Sequence, residues 1–103
     1  MVLYEVCLHV APEIGAAYRD WLATHVGEIL TLEGFETAEV FEDEPGPDGA
    51  LRLAVHYRLR DTSALDRYLA DHAPRMRAEG VARFGDRFTA TRRVLRRVQA
   101  FGG

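Results

Sequence analysis

Four histidines, a single cysteine and thirteen arginines supply the reactive side chains of this 103-residue chain. Glu5, Cys7 and His9 alternate along "VLYEVCLHV", and Arg52, His56 and Arg58 alternate along "LRLAVHYRL". Histidine titrates near neutral pH and serves as a base. Arginine holds a carboxylate or phenolate through charge-assisted hydrogen bonds, and a thiol beside a guanidinium is favoured as thiolate. His25 and His72 close two related pentapeptides, "WLATH" at 21–25 and "YLADH" at 68–72. No H-x-x-E-H or H-x₃-H spacing occurs, and no metal is expected.

These residues need elements to hold them. Val2, Tyr4, Val6, Leu8 and Val10 alternate with Leu3, Glu5, Cys7 and His9, which predicts a half-buried strand over 2–10. Pro12 suits a helix start, and Ile14, Tyr18, Trp21, Leu22, Val26, Ile29 and Leu30 recur at helical spacing up to Gly34. "FETAEVFEDE" reads as a second strand and "PGPDG" at 45–49 as the turn into a third, Leu51 to Leu59. Asp61 or Thr62 caps a second helix, with Leu65, Leu69, His72, Met76, Gly80 and Phe84 as its buried stripe and a kink or break expected at Pro74. "GDRFTATRRVLRRV" gives the last strand.

The two pentapeptides lie 47 residues apart, and the same offset lays the first strand on the third. The echo therefore spans two β-α-β halves. It predicts a single α+β domain over 1–103, ferredoxin-like, β-α-β-β-α-β. Its four-stranded antiparallel sheet has the order 4-1-3-2, with two helices on one face. Matching Val6 with Leu53 across the central strands places Arg52 opposite Cys7 and His56 opposite Leu3. His9 then lies six residues beyond His56, about 20 Å away at roughly 3.3 Å per residue, too far to share an ion.

The sheet face away from the helices shows Glu5, Cys7, His9, Arg52 and His56, too polar for a dry core and too mixed for a plain solvent face. It is expected to line a ligand cavity closed by a second subunit. The candidate ligand-binding residues are His9, Arg52, His56, Glu5 and Cys7. Tyr57, Trp21, Tyr18 and His72 are further candidates for the wall, although the first three sit on apolar stripes and read also as core.

Charge is uneven. Residues 1–50 hold 11 Asp/Glu and one Arg, whereas residues 51–103 hold five Asp/Glu and 12 Arg. The two edge strands carry opposite signs, with Glu36, Glu39 and Glu42 on one and Arg92, Arg93 and Arg96 on the other. Complementary edges suit a two-fold homodimer. Net charge is −3, no apolar run is long enough to cross a membrane, and the start has no basic segment of a signal peptide. A lone cysteine fits the reducing cytoplasm. The open face of the central strands carries no Phe, Tyr or Trp for base stacking, so no nucleic acid is expected.

"WLATH", "YLADHAPRMRAEG" and the Arg-rich last strand, in this element order, resemble an uncharacterised bacterial family of short proteins, a domain of unknown function of the DUF4286 type. The chain is more loosely similar to the dimeric α+β barrel superfamily. That resemblance implies a dimer with a cavity between helices and sheet or between sheets and, among the activities of the superfamily, cofactor-independent monooxygenases, small-molecule isomerases and haem enzymes. No cofactor is expected. The expected function is small-molecule binding. The alternatives are a cofactor-independent monooxygenase or isomerase, with a histidine as base, and a non-catalytic interaction or regulatory subunit.

Overall fold

In the computed structural model, which describes residues 1–103, the chain runs β1 (Val2–Val10), α1 (Gly15–Ile29), β2 (Phe35–Glu42), β3 (Leu51–Leu59), α2 (Thr62–Asp71), α3 (Ala73–Phe84) and β4 (Phe88–Arg96). A 3-10 turn over Pro12–Ile14 leads into α1. The sheet is antiparallel throughout in the order β2-β3-β1-β4, which is the expected 4-1-3-2 read from its other edge. The fold is α+β and ferredoxin-like.

Strict alternation decides which face of each central strand is buried. Val2, Tyr4, Leu8 and Val10 from β1 meet Leu53, Val55, Tyr57 and Leu59 from β3 in one apolar core. Tyr18, Leu22, Val26 and Ile29 of α1 cover it, spaced to fall on one side of a helix. Leu59 and Val10 are fully buried, and burying a side chain of that size stabilises by about 1.5–3 kcal/mol. The molecule measures 38 × 35 × 18 Å. Its short dimension spans one sheet and one helical layer, so the second sheet face has nothing over it.

The register differs from the expected one. Val6 faces Val55, not Leu53, so Arg52 lies opposite His9 rather than Cys7, and His56 opposite Glu5 rather than Leu3. The difference is a slip of two residues. An even slip leaves every side chain on its own face, so alternation accepts both registers equally. The observed one stacks Tyr4 against Tyr57, with ring centroids 6.0 Å apart, and sets Glu5 beside His56.

The second helical segment breaks where expected. Pro74 has no N–H to donate and its ring crowds the preceding turn. The chain leaves helical geometry at His72 (φ −126°) and restarts as α3 at Ala73. The break rotates the buried stripe: Tyr68 and Ala73 are buried, while Leu69 and His72, both expected inside, are half-buried. Asp61 caps α2, its carboxylate accepting from the Ala64 amide at 2.8 Å. Just before β2, Gly34 has φ 89°, and its carbonyl accepts from the Arg60 amide at 2.9 Å. A β-carbon there would run into the Ala64 side chain.

The pentapeptide echo survives as a packing rule. His25 stacks on Trp21 with centroids 4.4 Å apart, and His72 lies over Tyr68 at 6.5 Å. In each case the imidazole covers the aromatic ring one helical turn before it.

Candidate functional site

The five polar candidates of the open sheet face divide into two groups. Glu5 accepts from Arg93 Nε at 2.6 Å and lies 2.8 Å from His56 Nε2. At the end of the sheet His9 Nε2 is 2.9 Å from Asp48, which also lies 3.7 Å from Arg52. Cys7 stands between the groups, exposed, with Ala54 and Thr91 as strand neighbours. Partial desolvation and the Glu5 carboxylate push the Cys7 thiol up, away from thiolate. The thiolate expected from an opposed Arg52 is thus overturned by the register.

Arg93 first and His56 second hold the Glu5 carboxyl below the usual carboxylate range. A depressed folded value means stability that is present above the ordinary carboxylate pKa and lost as pH falls through the folded one. Acidification below about pH 4 is therefore expected to lower the urea midpoint of the wild type. Glu5→Gln should start lower at neutral pH and fall less steeply. Parallel curves for the two proteins would remove Glu5 from the acid response.

The edge charges are partly spent within the chain. Glu42 accepts from Arg19 at 2.6 Å, Glu39 lies 3.8 Å from Arg58, and Arg93 is bound to Glu5. Glu36 and Arg96 make no ion pair. Arg92 points to the helix side of β4, in step with Phe88 and Ala90.

A cavity lies on the other side of the sheet from the five candidates, between β1, β3, β4 and the helices. It has a volume of about 340 Å³, and fourteen of its eighteen lining residues are hydrophobic, so its wall is largely apolar. Tyr18, Tyr57 and Trp21 form part of its wall, as well as belonging to the core as their stripes indicated; His72 does not reach it. Gly80 lets α3 approach α1, since a β-carbon there would sit 3.1 Å from the Trp21 ring and 3.2 Å from Phe88. Glycine in a helix interior costs about 1 kcal/mol relative to alanine, and here the close approach of Trp21 accounts for it.

Polar groups converge on this apolar space. Arg77 Nη2 donates to the Tyr4 hydroxyl at 3.2 Å. Burial raises Tyr18 and Tyr68 to about 12 and Tyr57 further in the same direction, so all three are neutral hydroxyls at pH 7. Arg92 exerts its charge on those three tyrosines and on His25 together. Burial holds His25 below the ordinary histidine value, against Glu79 and Glu28, so its ring is neutral at pH 7. Its Nδ1 lies 3.8 Å from Glu79 and has no hydrogen-bond partner. The exposed wall residues Arg77, Val81 and Arg92 mark the mouth.

Sequence reasoning placed the polar cavity on the open face and passed over Tyr4, Tyr68 and Arg77. Tyr4 sorts with the apolar set of an alternating strand, and Tyr68 with that of a helical stripe. Arg77 follows Met76 of the buried stripe by one residue, a position that solvent usually claims. The small residue Gly80 on that stripe was the available sign of space beneath α3.

A four-stranded antiparallel sheet, backed by helices on one face with a cavity between, is an α+β, ferredoxin-like arrangement shared with solved structures, among them proteins described as antibiotic biosynthesis monooxygenases. One such protein, from Deinococcus radiodurans, superposes with a TM-score of 0.76 at 17% identity over 99% of this chain and 97% of its own. SnoaB, a cofactor-independent oxygenase from Streptomyces nogalater, gives 0.72 at 14% identity over 99% and 97%. An ethyl tert-butyl ether degradation (EthD) family protein from Bacillus halodurans gives 0.64 at 16% over 95% and 100%. No curated protein matches in sequence. The chain belongs to the family described as Domain of unknown function (DUF4286), which matches residues 1–98.

Proposed function

We propose that this protein binds a small, largely apolar organic molecule in the cavity between its helices and its sheet. The observation that carries this reading is the cavity itself, of ligand size and with a few polar groups at defined points of an apolar wall. A module that served only to contact other proteins would have a filled interior. Trp21 is the only tryptophan and lines the wall, so its fluorescence reports occupancy. Titration with the neutral dye N-phenyl-1-naphthylamine should quench Trp21 by energy transfer and saturate at one dye per chain. Ala90→Leu, which fills the wall from β4, should weaken that binding with the circular dichroism unchanged. Transfer that never saturates, or that ignores Ala90→Leu, would sink the reading.

A cofactor-independent oxygenase or isomerase is the second reading, favoured by the neutral His25 on the wall as a base for an acidic organic substrate and by the oxygenase named among the structural neighbours. On this reading His25→Gln leaves dye binding intact and abolishes turnover.

The protein is further proposed to work as a two-fold homodimer, with the open sheet face and the charged edges toward its partner. Support comes from the uncovered face and from the exposed Val40 and Phe41 on the acidic edge, with Val94, Leu95, Val98 and Phe101 on the basic edge and tail. Such an assembly in the cytoplasm would keep Cys7 reduced and shielded. Sedimentation equilibrium should give a dimer at micromolar concentration in low salt and a weaker one in high salt; a monomer in both would reject it.

A further inference from the structure

We infer that the cavity is built for an organic anion, a carboxylate or phenolate carried on a ring-sized apolar body, with Arg92 and the tyrosine hydroxyls as its anchor. This rests on the proposed binding function and goes beyond it by fixing the charge of the ligand and the residues that read it.

The charged groups on the wall are of one sign. Arg77 and Arg92 are cations that only donate hydrogen bonds, and no aspartate or glutamate lines the cavity. Tyr18, Tyr57 and Tyr68 are buried to 1%, 3% and 5% exposure. Of the lining tyrosines only Tyr4 finds a hydrogen bond in the chain, to Arg77. The other three hydroxyls keep access to the open space of the cavity and are free to donate to an acceptor that enters it. The remaining wall is apolar and shields whatever charge enters, which strengthens its attraction to a guanidinium.

A neutral ligand would leave Arg92, exposed at the mouth, without an anionic partner. A cationic ligand would meet two guanidinium groups. A carboxylate supplies up to four lone-pair positions, enough for a guanidinium and two phenols at once. Charge-assisted bonds of this kind contribute more than neutral ones. The ligand body is set by the aromatic walls, where Trp21, Tyr18 and Phe88 present ring faces and edges.

Calorimetric titration with naphthalene-2-carboxylate and with naphthalene-2-carboxamide separates charge from shape, because the two differ only in the charged group. The carboxylate is expected to bind at least about tenfold more tightly. Arg92→Met, which keeps the apolar stem, should erase most of that preference while the carboxamide affinity stays within about twofold. Tyr57→Phe should weaken the carboxylate about three- to fivefold, by loss of one hydrogen bond. Equal binding of the two probes by the wild type overturns the inference, as does a preference that persists in Arg92→Met. Binding of the neutral dye at Trp21 without any binding of the carboxylate also overturns it and leaves the cavity as a neutral-ligand site. Failure of all three compounds overturns the binding function together with the inference.

Discussion

Tyr18→Ala is expected to cost about 3–5 kcal/mol, enough to unfold much of the population when domains of this size hold about 5–15 kcal/mol in total. Tyr18 is 1% exposed. Its ring sits 5.5 Å from Trp21, 5.1 Å from Phe84 and 5.2 Å from Phe88, joining α1 to the end of α3 and the start of β4. Alanine would remove the ring from all three contacts and merge its volume with the adjoining cavity, which the surrounding sheet and helices can only partly collapse to fill. Tyr18→Phe keeps the ring and removes a hydroxyl that has no partner in the chain, so its stability should lie within about 1 kcal/mol of wild type. Chemical denaturation of both variants provides the check. Equal losses would mean that the hydroxyl, not the ring, carries the stability.

Gly34→Ala is expected to lose about 2–4 kcal/mol, although it adds only a methyl group. At φ 89° a side chain strains the backbone by about 1–2 kcal/mol. The added carbon also meets Ala64 at the first turn of α2, and overpacking of this sort costs about 1–3 kcal/mol. Ala64 is itself 1% exposed and held by the Asp61 cap, so it has no room to retreat. Relief is testable: Ala64→Gly in the same chain should restore part of the loss, leaving the backbone strain. A double variant no more stable than Gly34→Ala would assign the whole effect to φ.

The elements and their order are legible because each is written in a period of its own. Leu51 to Leu59 alternate without exception, and Tyr18, Leu22, Val26 and Ile29 hold one helical face. Register is not legible in the same way. Shifting β1 against β3 by two residues leaves the core set unchanged, so the choice falls to the Tyr4–Tyr57 and Glu5–His56 pairs, which no periodicity encodes. The five polar candidates were correctly assigned to one sheet face, and they do face away from the helices. What a binary pattern hides is chemistry among residues that sort as apolar. Tyr4 and Tyr57 keep the strand alternation, and Tyr68 the helical spacing, while bringing hydroxyls to the cavity wall. Arg92 sits at an inward position of β4, whose place at the sheet edge left its side open to either reading. The Arg19–Glu42 bond joins a helix to an edge strand and so removes one of the charges that the edge argument counted as free.

The strand order also governs how the chain is made. β1 lies at the centre of the sheet, with β3 on one side and β4 on the other. Both of its partners are far downstream, so β1 is made before either of them and gains its second neighbour only when β4 has been made. Only β2 and β3 can pair as a local hairpin. Non-local pairing slows folding because loop closure precedes the reward of contact. Until Phe88–Arg96 emerges, an apolar strand with an open edge waits in the growing polypeptide. During synthesis that edge is the segment most open to capture by a chaperone or to pairing with another nascent chain.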